Sequence, residues 1–402
     1  MESWKRNLWI LWFGVLLVSS SYTMIIPFLP LFVSQLGVAH HVKVWAGILF
    51  SVTFFFSFLL APYWGSLADK YGRRSMIIRA GIGLIVTYGL GAFVQTPWEL
   101  LGVRVLHGLV SGFVPGSIAL VATNTPEKHM GWSLGMMATA SSTGGILGPL
   151  VGGILSHLFS IRASFLIASA LLVIATLLIT LFVKEENFHP GKPRSRILSD
   201  LNIAFHNRPF VAMLVILIIV QISIMILEPL ITLYIKDLQG RMEGTVLLSG
   251  IIFSAAGIAS ILSAPRWGKI GQKQGYRNVL ILSLAGGGLL NIAQLFAHTV
   301  WMFGLIRFLY GLFIAGVFPT INAMIVERTD AEFRGRAFGL STSANQFGSM
   351  VGPLVGGVLG GWLGIQYVFV ITGILLSLTA IAVIWANRKS QQLVRHVEKN
   401  SV

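Results

Sequence analysis

Cysteine is absent from all 402 residues, and charge is scarce: Asp, Glu, Lys and Arg together make up 11% of the chain. Without cysteine there is no disulfide, zinc–thiolate site, iron–sulfur cluster or cysteine nucleophile. A typical soluble domain carries about 25% charged residues. At 55% hydrophobic content, this chain cannot cover a soluble core, which excludes a globular enzyme, a nucleic-acid-binding domain and a secreted protein. The nine histidines show no metal-ligand spacing. His40 and His41 adjoin, but read as a solvated loop pair, so no metal is expected. The chain also has no G-x-x-x-x-G-K-[ST] loop for nucleotide-driven pumping, no HExxH motif and no paired intramembrane carboxylates.

What is present is a succession of apolar runs, each long enough to cross the roughly 30 Å hydrocarbon layer. Lys5 and Arg6 give a signal-like positive start, but the run from Leu8 to Phe32 is too long for a signal core and reads as a retained first span. Twelve spans are predicted, at 8–33, 44–67, 76–95, 98–122, 132–157, 162–183, 210–235, 245–268, 278–297, 301–326, 336–362 and 365–386. They read as helices, because lipid makes each segment satisfy its own backbone groups. A transmembrane barrel would show strictly alternating segments of about ten residues instead. The predicted class is an all-α membrane protein with little mass outside the bilayer.

The net charge of +15 resembles a polyanion signal until it is placed. Of the 29 Lys and Arg, 23 fall in one set of alternate loops and tails, and only Lys43, Arg162, Lys236 and Arg241 in the other. The positive-inside rule then puts both termini in the cytoplasm and leaves nucleic acid unnecessary. Residues 184–209, with Pro190, Gly191, Pro193 and five basic residues, read as a cytoplasmic linker between halves at 1–183 and 210–386. The tail 387–402 is polar and expected to be poorly ordered.

The halves repeat each other. Pro62, Trp64, Gly65, Lys70, Gly72, Arg104 and Gly108 recur as Pro265, Trp267, Gly268, Lys273, Gly275, Arg307 and Gly311, a shift of 203. One residue later in register, Gly131, Gly135, Gly144, Gly148, Pro149, Gly152 and Gly153 recur as Gly335, Gly339, Gly348, Gly352, Pro353, Gly356 and Gly357. An even number of spans per repeat gives two parallel six-helix halves, the arrangement of alternating-access transporters with a site between repeats.

Gly65-Ser-Leu-Ala-Asp69-Lys-Tyr-Gly72-Arg73-Arg74 resembles the signature loop of the major facilitator superfamily. Arg104-Val-Leu-His107-Gly108 resembles the arginine motif of its proton-coupled members. Gly144-Gly-Ile-Leu-Gly148-Pro149-Leu-Val-Gly152-Gly153 resembles the antiporter motif of its drug:proton antiporters with twelve spans. The resemblance covers essentially the whole chain. It implies a proton-coupled antiporter in the cell membrane, working as a monomer without a cofactor. A proton gradient would supply the energy, and the cargo would be lipophilic, often cationic compounds. The alternative is a carrier for a sugar, metabolite or lipid, although a sugar site needs more hydrogen-bonding side chains than these spans offer.

By that resemblance the signature loop locks the cytoplasmic side when the transporter faces outward. Gly65 allows close packing, Gly72 takes a positive φ, and Asp69 accepts charge-assisted hydrogen bonds among Lys70, Arg73 and Arg74; a solvated turn is the other reading. In the second copy Gln272 replaces Asp69, so no equivalent latch is expected there. The glycine ladders at 144, 148, 152 and at 348, 352, 356 suit close backbone approach, and Pro149 and Pro353 can bend their helices. They read either as helix packing alone or as bendable seams between the halves in spans five and eleven. Arg104 and Arg307 lie inside apolar spans, where a charge is a functional candidate by default. Arg104 has a proton-coupling reading, from the arginine motif, and a structural one, bonding backbone carbonyls. His107, where the motif commonly has glutamine, reads as a titrating group or as a donor of one hydrogen bond.

Glu228 is the one acidic residue well inside a span. Counting residues from the outer ends puts it level with Arg104 and Arg307, roughly 12 Å deep at 1.5 Å per residue. Burial and a nearby arginine act in opposite senses on a carboxyl group, so Glu228 reads as the site where proton and cationic substrate compete. A permanent Glu228–Arg307 ion pair is the competing reading. Pro229 next to it favours a helix break there.

Overall fold

A computed structural model describes residues 2–185, 207–240, 243–329 and 334–400, with side chains at 328, 334–336 and 386–400 left aside. Most of the expected 184–209 linker therefore lies outside the described residues. The described residues contain no β-strand.

Twelve rods account for the helices among the described residues. Span 1 is Ser3–Met24 continued by Leu29–Gln35, span 2 is Val42–Tyr71, and span 3 is Arg73–Phe93. Span 4 is Pro97–Leu109 with Phe113–Asn124, span 5 is Glu127–Leu158, and span 6 is Ile161–Phe182. Span 7 is Arg208–Met225 with Glu228–Gln239, span 8 is Thr245–Gln274, and span 9 is Tyr276–Ala293 ending in a short 3-10 turn, Gln294–Phe296. Span 10 is Val300–Ile314 with Val317–Arg328, span 11 is Arg334–Trp362, and span 12 is Ile365–Asn400. Eleven of these rods are long and apolar enough to cross a membrane. Span 11 has the length, at 29 residues, but its glycines and serines dilute its hydropathy. Span 12 runs well past the expected boundary at 386, so the helix continues into the polar tail.

The breaks repeat between the halves. Spans 1 and 7 interrupt near their second third, and spans 4 and 10 near their middle, at Gly112 (φ 119°) and at Gly316. The starts of spans 3 and 9 use Gly72 and Gly275 at φ of 92° and 90°, a conformation that favours glycine.

Each half carries its own core. Leu11, Phe28, Phe32, Phe50, Leu84, Phe113 and Leu172 close the first, and Phe210, Leu217, Leu284, Val317 and Leu376 the second. A third cluster gathers the outer ends of the second half around Tyr234, Phe303 and Phe369, and takes in Leu31 of span 1.

The two halves meet through spans 2 and 11 and through spans 5 and 8. An added Cβ on Gly47 would overlap the Pro353 carbonyl, and one on Gly250 the Pro149 carbonyl. Gly357 lies against Lys43 and Val44, and Gly153 against Val246 and Leu247. Ser254 Oγ donates to Ile146 O, and Lys43 Nζ to Gly360 O at 3.0 Å. All these contacts lie towards one membrane face. Eighteen residues along the same helices, five full turns at 3.6 residues per turn, sit Gly65, Gly339, Gly268 and Gly135. An added Cβ at any of these four would meet nothing within 4 Å. The halves are therefore joined at the face carrying the Lys43 loop and stand apart at the face carrying the signature loop.

The ladders themselves follow the helix-packing reading. Gly144, Gly148 and Gly152 press on Leu16 to Met24 of span 1, and Gly348, Gly352 and Gly356 on Ile218 to Ile226 of span 7. They are seams within each half. The seam between halves is made by Pro149 and Gly153, and by Pro353 and Gly357, about 100° further round each helix.

Candidate functional site

A cavity of about 320 Å³ opens between the halves. Spans 1 to 6 supply nearly all of its wall, and Gln346 of span 11 closes it from the other half. The breaks explain why side chains converge there. Gly112, in left-handed conformation, ends the upper helix of span 4 and brings Ser111, Phe113 and Pro115 to the cavity beside His107. Tyr22 of span 1 stands edge-on to Phe54 at 6.0 Å and to His107 at 5.7 Å. Tyr88 of span 3 lies 5.5 Å from His107 on its other side.

His107 makes no hydrogen bond to a described residue, so the single-donor role is not realised; its ring is held by Tyr22 and Tyr88. Arg104 is buried one turn away. Its Nε donates to Leu49 O at 3.0 Å, its own carbonyl accepts from Thr53 Oγ1 at 3.1 Å, and its guanidinium lies over Phe50. That geometry matches the structural reading of Arg104, and it also places a fixed positive charge behind the cavity wall.

Glu228 opens the second helix of span 7, with Pro229 following in the first turn. The helix breaks at Ile226 and Leu227, just before it. A carboxylate there faces the positive end of a helix dipole. Glu228 forms no ion pair within 4 Å, so the permanent pair with Arg307 is absent; the two interact only across a longer gap. Arg307 is buried over Tyr310, with its Nη1 lacking a partner. Arg104 and Arg307 stay in separate halves, and the three expected partners do not meet in direct contact. Tyr22 lies within electrostatic reach of both Arg104 and Glu228.

Tyr22 and Gln346 line the cavity. Gln221 bonds Ser349, Tyr234 bonds Ala297 O, and Asn291 bonds Thr372 and Gln294. Those groups knit the second half together.

At the signature loop, Asp69 is half exposed and 3.9 Å from Arg73 of its own loop. Arg73 Nη1 donates to Ala119 O and Arg74 Nη2 to Thr180 O. The N-terminus of span 3 is held instead by Glu185, whose two carboxylate oxygens accept from the backbone N–H groups of Arg73 and Arg74 at 3.1 and 3.0 Å. Sequence reading passed over Glu185. Its signal was a carboxylate directly following span 6, opposite a helix start lacking an acidic residue of its own. Asn7 and Asn124 hold the neighbouring Lys184 carbonyl, tying the end of span 6 to spans 1 and 4.

Residues 11–261 and 229–401 match the Major Facilitator Superfamily. The chain belongs to the major facilitator superfamily. It is 36% identical over 378 residues to a Multidrug resistance protein MdtG of Proteus mirabilis (strain HI4320), covering 92% of this chain and 93% of that one. A protein of the same name from Serratia proteamaculans (strain 568) is 34% identical, covering 98% and 96%. Among solved structures, the nucleoside transporter NupG (D323A mutant) superposes with a TM-score of 0.78 at 16% identity, covering 95% of this chain and 99% of that chain. An inward-facing, unoccupied bacterial homologue of the human lysosomal transporter Spinster gives 0.79 at 13%, covering 96% and 98%. The fold is thus the major facilitator fold, and the chain is an integral membrane protein.

Proposed function

We infer that this chain is an exporter of lipophilic, often cationic compounds, driven by protons moving the opposite way, in the cell's inner membrane with both termini cytoplasmic. The observation that carries the reading is the likeness, over nearly the full length, to proteins named for multidrug resistance. The cavity agrees with it: aromatic and aliphatic walls with few polar groups suit apolar cargo of varied shape. The Glu228 carboxylate, at the break of span 7 and within electrostatic reach of the cavity residue Tyr22, suits a cation.

Alternating access is supported by the glycine pairs. Gly47 and Gly250 already allow backbone contact at one face, and Gly65 and Gly268 sit five turns away, ready for the same contact at the other. In the observed arrangement Asp69 is disengaged, as a latch of the opposite state would be. Cargo enters from the signature-loop face. Closure of that face and opening of the other expose Glu228, where a proton neutralises the carboxylate and releases the cation. The proton leaves towards the signature face.

The deciding experiment uses purified protein in vesicles with an imposed pH gradient. Acid at the face opposite the signature loop should speed movement of a cationic dye to that face, and a protonophore should abolish the gain. Transport indifferent to the gradient sinks the coupling. An unchanged susceptibility of expressing cells to a dye and antibiotic panel sinks the cargo assignment.

A further inference from the structure

The cavity wall has a chemistry of its own, apart from the charged groups. Tyr22, Phe54, Tyr88, His107 and Phe113, from four different spans, bound it with rings. The phenol oxygens of Tyr22 and Tyr88 are buried and have no hydrogen-bond partner. Tyr88 is only 2% exposed. A buried hydroxyl left unpaired is costly, and phenylalanine would fill the same space without that cost. The rings of Tyr22 and Tyr88 both stand against the His107 imidazole at the cavity, and their two unpaired hydroxyls are donors without an acceptor. None of the residues lining the cavity is acidic. The fixed charges behind this wall are Arg79, whose Nη2 donates to Ser111 O at 2.9 Å, and Arg104, and both disfavour a cation there. The carboxylate, Glu228, belongs to the other half.

The geometry points to a subsite in the first half for an uncharged, flat aromatic ring system bearing a hydrogen-bond acceptor such as a ring carbonyl, with the phenols of Tyr22 and Tyr88 as donors. This rests on the cavity being the transport site, and it divides that site in two. The ring system of a cargo lies among spans 1 to 4, and any cationic end points across Tyr22 towards Glu228. A cavity of about 320 Å³ lies at the small end of ligand pockets, which run from about 300 to 1,000 Å³, and suits a compact fused ring system.

The test is binding without any gradient, so failure of export or of proton coupling leaves its result standing. The protein in lipid nanodiscs is dialysed to equilibrium against 9-fluorenone or fluorene, which share one three-ring frame and differ by a carbonyl. Empty nanodiscs correct for partition into lipid. Wild type should prefer fluorenone by roughly three- to tenfold, the effect of one neutral hydrogen bond. Tyr88→Phe should remove that preference and leave fluorene affinity unchanged, which also certifies the fold. Tyr22→Phe makes the same test if Tyr88→Phe inserts poorly. Equal affinity of wild type for the two compounds, or equal loss of both in the variants, overturns the proposal.

Discussion

At the scale of single residues, charge placement decides what can be tested. In the proposed mechanism Glu228 is the group for which proton and cation compete, being ionisable, at a helix break and free of any ion pair within 4 Å among the described residues. Glu228→Gln keeps size and hydrogen bonding but behaves at every pH as the protonated form does. Wild-type export of cations should fall as pH drops through the Glu228 titration, whereas the variant should stay low and flat, with neutral cargo less affected. Vesicle uptake across a pH series measures this, and an unchanged pH profile removes Glu228 from coupling. Asp69→Asn tests the signature loop. A charge-assisted hydrogen bond is worth roughly 1.5–3 kcal/mol, so its loss from the latched state should slow transport about tenfold or more at unchanged expression. Glu185 acts differently, as a cap. Glu185→Ala leaves the N–H groups of Arg73 and Arg74 without acceptors. It should lower stability by roughly 0.5–2 kcal/mol, visible as a lower melting temperature of the purified protein.

At the scale of elements, the four central helices carry a glycine near each end, packed against the other half at one face and open at the other. The chain lacks cysteine, so introduced pairs report cleanly. Val44→Cys with Gly361→Cys should cross-link readily, since an added Cβ at Gly361 lies 3.5 Å from the Val44 side chain. Gly65→Cys with Gly339→Cys should cross-link only when the signature face closes. Gly47→Leu drives a side chain into the Pro353 backbone, so it should weaken the first cross-link and strengthen the second. A variant in which both pairs keep their wild-type yields would show that these glycines do not set the conformational balance.

At the scale of the whole molecule, each half has its own core, and the closest backbone contacts between the halves gather at one face, along spans 2 and 11 and spans 5 and 8. Such an interface lets two rigid bodies rock without breaking either. The proposed orientation in the membrane rests on the 23-to-4 distribution of basic residues. Single cysteines at Ser195 and Gln239 should be labelled by an impermeant reagent added outside the cell only at Gln239. The reverse pattern inverts the topology and, with it, the direction of transport.

Span number, repeat and family were legible because they rest on local properties: runs of apolar residues, and motifs such as Gly65 to Arg74 that recur at a fixed shift. The break at Glu228 and the positive φ at Gly72 were legible for the same reason, since Pro229 and glycine act on their own backbone. The partners of each helix face were not. Whether Gly152 or Gly153 meets the other half depends on a rotation of about 100° that no single helix encodes. Whether Arg104 bonds a carbonyl or reaches Glu228 depends on which half it is packed into. The phenols of Tyr22 and Tyr88 gained their meaning only when spans 1, 3 and 4 closed around one cavity and left them without acceptors. Sequence alone determined the elements and their insertion, because lipid and backbone act on each span separately. Tertiary structure alone decided which residues share the site, because that is set by the rotation and docking of many helices at once.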